Sequence, residues 1–141
     1  MADFNFKQPV VAALAIAARG GKVLLVRRGK PPNVGLWGFP GGKVELGEPI
    51  SVAACRELQE ETGLEAEPGE YMPPIDIIET DSASGELLHF VLVPVRVLKL
   101  RGAISAGDDA SEVGWFSLKD LEAQSSVLCQ QVLELGRTVL A

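Results

Sequence analysis

Histidine occurs once and cysteine only twice in these 141 residues, which leaves several common chemistries short of parts. Cys55 and Cys129 match no zinc-ligand spacing and are too few for a disulfide framework, so they read as reduced thiols. His89 opens an apolar run and reads as packing; no histidine-based triad can be built around it. No stretch approaches the roughly 20 apolar residues of a membrane span. The longest candidate, VVAALAIAA at 10–18, resembles a short signal-peptide core. Its weakly charged upstream segment, the Gly20-Gly21 pair and the apolar run 23–26 favour a buried strand of a cytoplasmic protein. Basic residues are also scarce: 13 Lys and Arg against 19 Asp and Glu leave a net charge of -6. That balance argues against an extended nucleic acid or an anionic membrane as partner. A small phosphorylated ligand stays compatible if a bound metal reverses the local sign.

What is present suits one domain spanning 1–141, with 47% hydrophobic and 23% charged residues. Strands are expected near 10–19 and 22–28, joined as a hairpin through the two glycines. Residues 29–35 read as loop, 36–39 as a brief extension, and Pro40-Gly41-Gly42 as a break. Ser51 can cap a helix that runs to Thr62, with Gly63 as a left-handed C-cap. Beyond it, 65–74 look loop-like, 75–79 extended, 81–85 a turn and 89–98 a strand whose Pro94 suggests an edge or a bulge. Then come a polar loop at 102–111, a short strand at 113–116, a helical turn from Ser117, and a terminal helix from Ser126. The last carries Leu128, Val132, Leu135 and Val139 on one stripe. The pattern is α+β, with mostly antiparallel strands packed by helices.

Residues 42–64, GKVELGEPISVAACRELQEETGL, carry the strongest functional signal. On a helix Glu61 lies about 40° from Glu57 and Glu60 about 60° the other way, so three carboxylates share an arc of roughly 100°. Like charges this close repel unless a cation shares them. Mg²⁺ fits, because it prefers oxygen ligands, takes few carboxylates directly and completes its shell with water and phosphate. Val52, Ala53, Ala54, Cys55 and Leu58 would pack on one face, leaving the acids on a separate, outward one. Most acidic clusters are merely solvated surface. Here seven fixed positions (Gly42, Glu48, Arg56, Glu57, Glu60, Glu61 and Gly63) would coincide by chance on the order of once in a hundred million starts, at ~7% usage per residue type.

At each of those positions the stretch resembles the Nudix box, and the layout from the N-terminal strands through GLWGFPGG to the final helix is similar to the Nudix hydrolase superfamily over nearly the whole chain. The resemblance implies a Nudix fold, an α/β/α sandwich with a mixed, largely antiparallel sheet. It also implies hydrolysis of a nucleoside diphosphate linked to another group, with Mg²⁺ or Mn²⁺ as cofactor. Carried over by position, Glu57 and Glu61 are the principal metal ligands and Glu60 a further one, with Gly41 or Gly42 offering a backbone carbonyl. Glu48 and Arg56 orient them.

Outside the box, Asp109 and Glu112, in the acidic loop GDDASE with Asp108, are the preferred pair for a further ligand or base. Trp37, Phe39 and Tyr71 are candidates for nucleobase stacking, as is Phe90. Arg28, with Arg27 and Lys30, is a candidate phosphate contact. Residues 27–42 resemble the compact ADP-ribose pyrophosphatase branch, whereas FPGGKVELGE also resembles MutT-like enzymes acting on nucleoside triphosphates. Glu79 stands where some ADP-ribose enzymes carry a proline. The small-molecule nucleotide diphosphate is the expected partner, with a homodimer left open. A nucleotide-binding regulatory domain without catalysis is the alternative from another class.

Overall fold

The computed structural model describes residues 8–30, 33–107 and 110–140. Its first strand, β1 (Val10–Ile16), is apolar on both faces, and because side chains alternate across a strand the two faces enter different cores. Ala12, Leu14 and Ile16 join one with Val23, Leu25, Leu92 and Phe116. Ala13, Ala15 and the following Ala17 join the other with Leu24, Val95, Ala53, Ala54 and Leu58. The strands that follow are β2 (Ala18–Arg19), β3 (Lys22–Arg28), β4 (Trp37–Gly38) and β5 (Gly41–Lys43). Then come α1 (Ile50–Thr62), β6 (Glu65–Glu67), β7 (Ile75–Thr80), β8 (Leu87–Arg96), β9 (Leu98–Arg101) and β10 (Ala110–Ser117), and finally α2 (Leu118–Ala123) and α3 (Val132–Leu140). One sheet runs β5-β1-β8-β7, a second β10-β3-β2 with β4 also on β3, and β6 pairs with β9. Helix α1 packs on one side, and α2 and α3 supply Leu121, Val132 and Leu135 to the other. This is the α/β/α arrangement expected.

Several local expectations need correction. The strand expected at 10–19 is divided: Ile16 gives its carbonyl to the Val97 amide (3.2 Å), and Ala17 gives its own to Leu24 (3.0 Å). Successive carbonyls of an extended chain face opposite ways, so the backbone leaves one sheet and enters the other there. The Gly20-Gly21 turn, with φ of 57° and 76°, therefore joins only β2 to β3, and both positive angles suit a two-residue hairpin turn. β1 instead pairs parallel with β8 and antiparallel with β5, so Gly41 and Gly42 do not break the pattern; they form a strand.

Pro94 lies in β8, an interior strand opposite Leu14, not in an edge strand. Its carbonyl accepts the Met72 amide at 2.8 Å, and its missing N–H falls on that same side, beyond the point where the β7 ladder ends at the Ile75 and Leu92 pair. Residues 65–67, expected as loop, form β6. The terminal helix begins at Val132, because Leu128 is held extended beside Trp37, whose carbonyl takes the Cys129 amide (2.8 Å). α1 is capped at Pro49 without a side-chain bond, not at Ser51, while Gly63 is left-handed at φ 80° as expected.

Candidate active site

Close approach of α1 to the sheet begins with alanine. Ala13, Ala15 and Ala17 of the sheet meet Ala53 and Ala54 of the helix, all fully buried, so the helix comes near enough for its side chains to touch the β5 backbone. The Ala15 amide bonds the Pro40 carbonyl at 2.7 Å and the Val44 amide bonds the Val11 carbonyl at 3.1 Å. In this antiparallel alternation Gly42 faces Ala13 in a hydrogen-bonded pair, which turns the Gly41 carbonyl away from β1 along the open edge of the sheet. A Cβ on Gly41 would collide with the Ala13 carbonyl and Leu14, and one on Gly42 would collide with the Glu57 carboxylate. Glycine at 42 thus leaves the space that the carboxylate occupies.

Glu57 is only 12% exposed. On the helix it lies about 40° from Ala53 and about 60° from Ala54, inside the packing arc. The separate acidic and packing faces expected from the sequence are therefore one continuous face, with Val52 turned out to solvent. Arg56 organises the remainder. Its Nε and Nη2 donate to the two Glu48 oxygens at 2.7 and 3.0 Å, and Nη2 also donates to the Lys43 carbonyl at 3.2 Å. Nη1 lies 3.3 Å from both Glu60 oxygens and 3.6 Å from Glu57 Oε2. Glu48 also accepts the Glu45 amide at 3.1 Å, so the 43–48 loop is drawn onto the helix. The Arg56 hydrogen bond holds the Glu48 carboxyl below its ordinary value of 4.5, and Glu48 in turn pushes the guanidinium pKa further up.

Among the described residues no three His, Cys, Asp or Glu side chains enclose one point; Arg56 supplies the positive charge beside Glu57 and Glu60. The donors nevertheless fit a hard divalent cation. The candidates carried over from the sequence, carboxylate oxygens on Glu57 and Glu61 with an outward carbonyl on Gly41, would be hard oxygen ligands with no soft one among them.

Other candidates are dispersed. Glu112 pairs with Arg27 (2.8 Å), whose Nε also donates to the Gly35 carbonyl (3.1 Å). Asp109 lies outside the described residues. Arg28 pairs across the sheet with Ala110, whose amide bonds the Gly107 carbonyl (3.0 Å), and the Arg28 charge is felt by the Cys129 thiol. Phe39 is core, which corrects its reading as a stacking surface. Trp37 is half-buried against Phe116, with ring centroids 4.9 Å apart. Tyr71 is exposed but pairs with Val95 beyond β8. It is therefore three strand spacings, roughly 14 Å, from the β5 line. His89 bonds Asp76 (3.0 Å) across β7 and β8.

The sequence pattern missed two contacts. Arg27 joins the 29–36 loop to β10, and the Ser105 and Gly107 amides meet the last carbonyls of α1. Both depend on strand register, for which no local signal exists.

An α/β/α sandwich whose glycine strand seats a glutamate from the following helix defines a protein of the Nudix class. The NUDIX domain family model matches residues 6–131, and the chain belongs to that family. It is 32% identical over 116 residues to an ADP-ribose pyrophosphatase of Methanocaldococcus jannaschii, covering 82% of this chain and 66% of that protein. A MutT NUDIX hydrolase of Burkholderia pseudomallei superposes with TM-score 0.73 at 33% identity, covering 94% of this chain and 96% of that one. The NUDIX domain of Shewanella oneidensis NrtR, solved in complex with ADP ribose, gives 0.76 at 27% identity, covering 95% and 88%. The chain spans less than two thirds of the length of the first curated relatives it matches. Among the described residues no helix is long and apolar enough to cross a membrane.

Proposed function

We propose that this chain is a divalent-metal-dependent pyrophosphohydrolase of a nucleoside diphosphate linked to another moiety, with ADP-ribose or a related nucleotide sugar as substrate. The observation that carries the reading is the Glu57 carboxylate seated on Gly42, beside a Gly41 carbonyl that the β1 ladder does not use. Glu57, Glu61 and the Gly41 carbonyl would hold Mg²⁺ or Mn²⁺, with Glu60 joining through water. When bound, the ion supplies charge neutralisation for the phosphate oxygens and acidifies a water. Arg56 and Glu48 keep the ligand-bearing turn and the 43–48 loop in register, and Arg28 is the phosphate contact. In the overall reaction water adds to one phosphorus, the anhydride P–O bond breaks, and the water's proton passes to a base as two phosphorylated products leave.

The 32% identity to an ADP-ribose pyrophosphatase and the likeness to a domain bound to ADP ribose support that substrate. A second reading, MutT-like cleavage of canonical or oxidised nucleoside triphosphates, is favoured by the 33% identity to a MutT hydrolase over 94% of the chain. Catalytic efficiencies on ADP-ribose, other nucleotide sugars, triphosphates and dinucleotides, with Mg²⁺ and with Mn²⁺, separate the two. Glu61→Gln should be folded and nearly inactive. Wild-type rates in that variant would refute the metal assignment, and tight nucleotide binding without turnover on any compound would refute the enzyme reading in favour of a regulatory domain.

A further inference from the structure

The last four carbonyls of a helix have no partner inside it, and a final turn left to water frays. In α1 that turn carries Glu60 and Glu61, and partners come from elsewhere in the chain. Gly63 closes on the Gln59 carbonyl at 2.9 Å, the Gly107 amide donates to the Glu61 carbonyl at 3.1 Å, and the Ser105 amide donates to the Thr62 carbonyl at 2.8 Å. The Thr62 hydroxyl, fully buried, donates to the Leu58 carbonyl at 2.6 Å and accepts the Leu64 amide at 3.2 Å. The 103–107 segment also lies flat on the helix end. A Cβ on Gly63 would stand 3.1 Å from the Ala103 carbonyl, and one on Gly107 would stand 2.7 Å from the Glu60 carbonyl. Two glycines, one from each side of the contact, therefore permit the approach.

We propose that Gly107 is a positioning residue for the carboxylate site, acting through the backbone of Glu60 and Glu61. A carbonyl and the side chain of its own residue move together, so a bond that fixes the Glu61 carbonyl fixes the direction from which its carboxylate leaves the helix. The Gly107 carbonyl also accepts the Ala110 amide at 3.0 Å. The strap thus couples the end of α1 to the strand that bears Glu112 and pairs with Arg28. The inference rests on the reading of Glu57 and Glu61 as metal ligands, and it adds that their affinity for the ion is set partly from a loop more than forty residues away in sequence, at Gly107.

Gly107→Ala requires the Glu60 carbonyl or the loop to give way, since backbone rather than a flexible side chain opposes the new methyl. Mn²⁺ binding by electron paramagnetic resonance, steady-state kinetics and melting temperature are measured together on wild type and Gly107→Ala. The expected result is Mn²⁺ binding weaker by roughly 10- to 100-fold, the range for residues that orient ligands, with kcat reduced and KM for the nucleotide nearly unchanged. Unchanged Mn²⁺ affinity with only a lower melting temperature would overturn the proposal. Because coupling is reciprocal, wild-type protein gives a second reading that needs no variant: Mg²⁺ should slow hydrogen exchange at the Ser105 and Gly107 amides, and exchange indifferent to Mg²⁺ would also overturn it. Wild type that binds no Mn²⁺ would remove the metal-ligand reading itself, a result distinct from either.

Discussion

Gly42 and Glu57 act as one unit, because the residue without a side chain creates the place where the other's carboxylate rests. Gly42→Ala should therefore displace that carboxylate while leaving the β5 pairing with β1 largely intact. The expected loss in kcat/KM is roughly 100-fold, the scale of an ångström-sized misplacement, with circular dichroism close to wild type. Glu48 offers a test through pH. Its folded pKa lies below its ordinary value because of the Arg56 hydrogen bond, so its stabilising contribution is complete above the ordinary carboxylate range and lost as pH falls through the folded value. The stability difference between wild type and Glu48→Gln, from urea denaturation, should be largest near neutrality and shrink below about pH 4.5. A difference that grew on acidification would contradict the ion pair.

At the level of elements, the contact of α1 with β1 is a meeting of alanines, and its closeness is what allows Glu57 to reach β5. Ala15→Leu should cost about 1–3 kcal/mol by overpacking, seen in urea denaturation, and should reduce kcat/KM although residue 15 touches no carboxylate. An activity unchanged alongside the stability loss would separate helix approach from carboxylate placement. Elements were legible where chemistry is local. The helix and its left-handed Gly63, the glycine hairpin turn and the Ser117 start of α2, whose hydroxyl takes the Asp120 amide at 3.1 Å, all follow from residues within a few positions. Whatever depended on a distant partner was not: the split after Ile16, Gly41 as strand, Pro94 inside a sheet and Leu128 beside Trp37. The spacing of the box named the glutamates, but only packing placed Glu57 within the buried arc and Tyr71 beyond β8.

At the scale of the whole molecule, the strand that supports Gly41 and Gly42 takes its position from β1, and β1 lies between β5 and β8, with Val10 opposite Phe90. A ribosome releases the Nudix box well before β8, so the helix sequence is available while one flank of its supporting sheet is still unmade. Pairing of such distant segments is slow, since loop closure precedes the contacts that reward it. In refolding from urea, helical signal should recover ahead of metal binding, and metal binding should coincide with the phase in which β1 and β8 join, followed by far-ultraviolet circular dichroism and Mn²⁺ resonance on the same time axis. Recovery of both in one early phase would dissociate the site from that pairing. The parallel pairing of β1 with β8 therefore gives the molecule an order in time: a nascent chain that already holds every box glutamate has yet to make one flank of the sheet beneath them, and that support is complete only when its ninetieth residue has found its tenth.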